Sequence, residues 1–256
     1  MKNFNIYPKN FENWEFDKKA SENFDLKRVT IAREQGASED RNFEIKPTMS
    51  KPNFRSSLGI NWEEQWSLFA EGFDNGIAHV DLNPYGTDQT VLLMPGAGFG
   101  DLSHPTTKLT LKMMAPYVKG KSLLDIGCGS GILSLAAIKM GATSAFGTDI
   151  DDFAIAHAKE NAALNNLNKK VQFFKPTQLP KLPSDLVIVM NMISSEQQIA
   201  WETHRNLKFN HAFMITSGIL KDEDHEYLAL TSNWGWKLIQ EQKDEEWKAY
   251  LFKVEQ

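Results

Sequence analysis

Gly127, Gly129 and Gly131 stand at alternate positions between the apolar run "SLLDI" and the amphipathic stretch "ILSLAAIKMG". A buried strand that feeds a glycine-rich turn into a helix brings backbone N–H groups and a helix N-terminus to the carboxyl edge of a sheet, where nucleotide-like ligands bind. Glycine there permits close backbone approach without a Cβ clash. A dinucleotide site places a third small residue at position 132; Ile132 stands there, so the spacing is G-x-G-x-G, with Asp125 just before it. About twenty residues further on, a second apolar run, "SAFGT", leads to Asp149, a carboxylate suited to both hydroxyls of a ribose. Two other readings stay open. The glycines suit a tight turn without a ligand, and Asp149 suits the N-cap of the next helix, a role Asp151 can also fill. Cys128 has no sequence neighbour that would activate a thiolate and reads as inert.

The elements that must position these residues follow from periodicity. "HPTTKLTLKMMAPYV" predicts a helix, with Pro105 in its first turn and Thr107, Leu111 and Met114 at helical spacing. From "SLLDIG" to "LKDEDHEYLALTSN" strand and helix patterns alternate, which predicts an α/β fold with a mostly parallel sheet flanked by helices. The ending, "WKLIQEQKDEEWKAYLFKV", has two strand-like runs and no room for a helix between them, so it predicts a C-terminal antiparallel hairpin. Upstream, "AHVDLNPYGTDQTVLLMPG" reads as two short strands about a turn, and Trp62, Trp66 and Phe69 share one helix face. Three parts are expected: a short N-terminal segment over 1–58, divergent or partly disordered, a connecting helix and strands over 59–104, and the ligand-binding domain over 105–256.

Composition bounds the partners. The 256 residues carry 41% hydrophobic side chains, enough for one sizeable core. A net charge of −5 without a dense Lys/Arg tract argues against direct nucleic-acid binding. One cysteine makes no internal disulfide, and no Cys/His cluster has zinc spacing, so a reducing compartment and no metal are expected. No stretch approaches the ~18 apolar residues of a membrane span, and the expectation is a cytoplasmic monomer.

The G-x-G-x-G turn preceded by Asp125 resembles the S-adenosylmethionine loop of Rossmann-like methyltransferases, a class whose sheet typically ends in a reversed strand. With "NWEEQW", "HPTT" before a helix, "LLDIGCGSGILSLAAIKMGA", "NMI", "SGIL" and "EEW", the chain from about Trp62 onward resembles the ribosomal protein L11 methyltransferase (PrmA-type) family. That resemblance implies S-adenosyl-L-methionine as cofactor and a ribosomal protein as partner, trimethylated on its amino groups. It places cofactor contacts on Thr107, Gly127, Asp149 and Asn191. Joined to the turn itself, the expected cofactor-binding set is Thr107, Asp125, Gly127, Gly129, Gly131, Asp149 and Asn191, with Asn191 also able to orient the amine.

On the residues alone, Thr107 also suits a helix cap or a buried hydroxyl, Asn191 a turn, and His104 loop stabilisation. The chain departs from the family at Phe99–Leu102, where the family has F-G-T-G, and residues 1–58 match no pattern of the family's N-terminal recognition domain. The expected function is an S-adenosylmethionine-dependent protein N-methyltransferase acting on ribosomal protein L11. The alternatives are a methyltransferase for another protein or small amine, and a cofactor-binding interaction module without turnover.

Overall fold

The computed structural model describes residues 66–67, 70, 72–96, 104–204, 206–207 and 211–254. The readings of residues 1–58, of Trp62 and Phe69, and of Phe99–Leu102 lie outside these; Trp66 lies within them, helical and buried.

The chain opens with β1 (Phe73–Asp74), β2 (Ile77–Asp81) and β3 (Thr90–Leu93), then enters α1 (Pro105–Val118). There follow β4 (Ser122–Ile126), α2 (Ile132–Lys139), β5 (Ser144–Thr148), α3 (Asp152–Leu164) and β6 (Val171–Phe174). The last third contains β7 (Asp185–Asn191), α4 (Ser194–His204), β8 (His211–Leu220), α5 (Asp224–Asn233), β9 (Lys237–Asp244) and β10 (Trp247–Val254).

β1–β3 form a small antiparallel sheet, and the other seven strands form the main sheet in the order β6-β5-β4-β7-β8-β10-β9. β6 to β8 along that order are parallel, while β10 runs antiparallel to both β8 and β9. The expected α/β fold and terminal hairpin are both present. β4 is buried along its whole length, as a central parallel strand covered on both faces must be. After β4 the chain builds outward through β5 and β6, then returns to lay β7 on the other side of β4. The turns after β4 and β7 therefore open into one crevice at the topological switch point.

Side chains alternate across this sheet into two cores. Leu123, Val187 and Val189 face α1 and α2, whereas Leu124, Ile188 and Met190 face Trp201, Tyr227 and Trp236. Val80, Val91 and Leu93 of the small sheet belong to the first of these cores, so β2 and β3 bury their apolar faces together with the main domain. Among the described residues, no helix is long and apolar enough to cross a membrane.

Candidate cofactor site

The glycine turn is tied to the end of β5: the N–H groups of Gly127 and Cys128 both donate to the Thr148 carbonyl, at 2.8 and 2.9 Å. All three glycines have positive φ. At Gly127 a Cβ would lie 2.1 Å from the Met192 methyl group, the end of a flexible side chain that can swing aside, so the positive φ is what favours glycine there. Cys128 is buried, and burial pushes its thiol up, consistent with an inert residue.

Asp149 faces this turn. Its Oδ2 accepts from the Gly129 N–H at 3.0 Å and its Oδ1 from the Asp151 N–H at 3.0 Å. The cap of α3 belongs to Asp151, whose Oδ1 accepts from the Phe153 N–H at 2.9 Å. Each Asp149 oxygen keeps a lone pair for a further donor. Beside it Ile150 is 84% exposed, an apolar face on the rim that sequence reasoning did not single out.

Asp125 lies beneath the turn. It is buried, and its Oδ2 accepts from Ser134 twice, from Oγ at 2.8 Å and from N–H at 3.2 Å, bracing the first turn of α2. Burial pushes its carboxyl up to about 7, against the Ser134 hydrogen bonds and with help from the charge of Asp149. A raised carboxyl keeps its proton in the folded chain after the unfolded chain has lost it. Stability through this group therefore falls as pH rises from about 4 to about 7, then levels off. Asp125→Asn removes that slope: relative to wild type, urea unfolding at pH 8 should favour the variant by about 2–3 kcal/mol more than at pH 5. Equal differences at both pH values would show that Asp125 ionises freely.

On the other side of the crevice, Asn191 at the end of β7 donates through Nδ2 to Thr107 Oγ1 of α1, at 3.3 Å. Asn191 Oδ1 is buried and has no hydrogen-bond donor among the described residues. His104 caps α1, its Nδ1 accepting from the Thr106 N–H at 3.4 Å, which is the loop-stabilising role expected of it. The segment carrying Asn191 is held by Gln197, a buried residue missed in the sequence because "SEQQ" reads as a surface stretch. Gln197 Nε2 donates to the carbonyls of Met192 and Ser217, at 2.7 and 2.9 Å, and its Oε1 accepts from Tyr227 at 2.6 Å. Glu196, also missed, is held above the usual carboxylate range by burial and by the charge of Asp149.

The structure thus brings Asp149, the three glycines, Thr107 and Asn191 to one edge of the sheet and sets Asp125 under the turn. Strand order and switch-point crevice together define a Rossmann-like methyltransferase fold. The family described as Ribosomal protein L11 methyltransferase (PrmA) matches residues 61–255, and the chain belongs to that family. Ribosomal protein L11 methyltransferase from Neisseria meningitidis serogroup C is 41% identical over 152 residues, covering 59% of this chain and 50% of the relative. The protein of the same name from Lachnospira eligens is 31% identical over 208 residues, covering 73% and 63%. The crystal structure of ribosomal protein L11 methylase from Lactobacillus delbrueckii subsp. bulgaricus superposes with a TM-score of 0.56 at 26% identity, covering 64% of this chain and 85% of that one. The chain spans about half the length of the Neisseria relatives it matches.

Proposed function

We propose that the chain is an S-adenosylmethionine-dependent methyltransferase that methylates amino groups of ribosomal protein L11 in the cytoplasm. The observation that carries the cofactor is Asp149 fixed against the glycine turn while Asp151 takes the helix cap, which leaves Asp149 for a ribose. The rest of the site fits the same group. The negative charges of Asp149 and Glu196 suit a sulfonium better than a diphosphate, and Asn191 Oδ1 awaits a donor. Family membership supports the amine and the ribosomal protein.

When bound, S-adenosylmethionine supplies a methyl group on a sulfonium that carries its own leaving group. The chain has to bind, orient and exclude water. Asp149 accepts from the ribose hydroxyls, and Ile150 offers an apolar face to the base. Thr107 fixes the Asn191 amide by accepting from Nδ2, so that Oδ1 can take a hydrogen bond from the incoming amine and aim its lone pair. A lysine amine, with a reference pKa of ~10.4, must lose a proton before transfer; the amide of Asn191 orients it but takes no proton.

Purified chain incubated with labelled cofactor and unmethylated L11 should place label on L11, located by peptide mass. Label on another protein or on a small amine of a lysate, with none on L11, would replace the substrate. Cofactor binding without label anywhere would leave an interaction module.

A further inference from the structure

β3 is the outer strand of the small sheet, and its open edge is met by no other strand among the described residues. An unpaired edge leaves backbone N–H and C=O groups to satisfy. Three side chains one helical turn apart, two on α3 and one at its C-cap, satisfy them. Asn165 Oδ1 accepts from the Leu92 N–H at 3.0 Å while its Nδ2 donates to the Leu92 carbonyl at 2.7 Å, so one amide group substitutes for a paired residue. Two residues along, Asn161 Oδ1 accepts from the Met94 N–H at 2.9 Å, and His157 Nε2 donates to the Met94 carbonyl at 2.8 Å. The chain then passes so close to α3 that a Cβ on Gly96 would lie 2.5 Å from His157 Nε2.

Asn161 differs from the other two rungs. Its Nδ2 donates to the Ser130 carbonyl at 2.9 Å, inside the glycine turn, and the residue is fully buried. One amide therefore clamps the exit of β3 to the turn that faces Asp149. We propose that Asn161 is a positioning residue for the cofactor site, holding the Gly127–Gly131 turn in register with the segment that leaves β3. Asn165, one turn away, bonds β3 at Leu92 and, through Nδ2, the Asn161 carbonyl at 2.8 Å, and makes no bond to the turn. The assignment rests on reading the glycine turn as the S-adenosylmethionine site.

The two rungs provide a matched test. In Asn161→Asp the Met94 contact survives, but an oxygen replaces the donor facing the Ser130 carbonyl. Asn165→Asp makes the same change against the Leu92 and Asn161 carbonyls, neither of them in the turn. Binding of S-adenosylmethionine to the full chain by calorimetry, and amide hydrogen exchange over residues 127–131 without ligand, read the difference. Asn161→Asp should weaken binding at least tenfold and speed exchange in the turn, whereas Asn165→Asp should lower Tm and leave both readouts within twofold of wild type. Equal affinities and equal turn exchange in the two variants would overturn the proposal. Should the charged variants fail to fold, Asn161→Ala against Asn165→Ala carries the same comparison. A wild-type chain that does not bind S-adenosylmethionine would overturn the cofactor reading, while exchange in the turn would still decide the role of Asn161.

Discussion

Asp149→Ala is expected to weaken S-adenosylmethionine binding by about 100-fold, corresponding to roughly 2–3 kcal/mol for hydrogen bonds to a charged acceptor. The same loss is expected for the demethylated product, S-adenosylhomocysteine, because the ribose is common to both. The carboxylate also accepts from the Gly129 and Asp151 N–H groups, so its removal should cost about 1–2 kcal/mol of stability. Asp151→Ala separates the two effects. It deletes the α3 cap, worth about 1 kcal/mol, and should leave affinity near wild type. Calorimetric titration of both variants beside their urea unfolding curves checks this. If Asp149→Ala lost stability while its folded fraction bound both ligands as tightly as wild type, Asp149 would be a structural brace and not a ribose acceptor.

The sequence offered both Asp149 and Asp151 for the α3 cap, because each stands just before the helical pattern; only the structure assigns the cap to Asp151 and turns Asp149 toward the glycine turn. The parallel strands were legible, since β4 and β7 are near-continuous apolar runs that only a sheet covered on both faces can use. Contacts made across long sequence separations were not legible. Asn161 and Asn165 look like the polar face of a helix, yet their backbone partners are 67 and 73 residues away. One signal was available: Asn161 shares helical spacing with Ala154 and Ala158, both buried, so a polar side chain there had to find partners in the core. Gln197 escaped for the same reason, and no local pattern reveals that the methyl group of Met192 rests on Gly127.

That Met192 segment is held by a second glycine, and Gly218→Ala is expected to cost about 3–5 kcal/mol of stability and to weaken cofactor binding. Lys248 pairs with Ile219 and Ala249 with Ser217, which makes Gly218 the extra residue of a β-bulge on β8. Its φ is +95°, and a Cβ would lie 2.4 Å from the Met192 carbonyl oxygen and 2.7 Å from its carbon. Both are backbone atoms, so no rotamer relieves the clash and the chain itself has to move. That movement strains the Gln197 bonds to Met192 and Ser217 and the Met192 N–H bond to the Ser217 carbonyl. Buried groups that lose their partners cost about 1–3 kcal/mol each, and a positive φ at alanine adds a comparable term. Against a total stability of about 5–15 kcal/mol this approaches unfolding. Because Asn191 immediately precedes Met192, affinity should fall in whatever fraction folds. Gly235→Ala isolates the backbone contribution: its φ is +81°, but nothing lies within 4 Å of the added Cβ, so about 1 kcal/mol is expected. Unfolding curves that showed equal losses for the two variants would mean that Met192 yields easily, and that the turn after β7 is not fixed by its contact with β8.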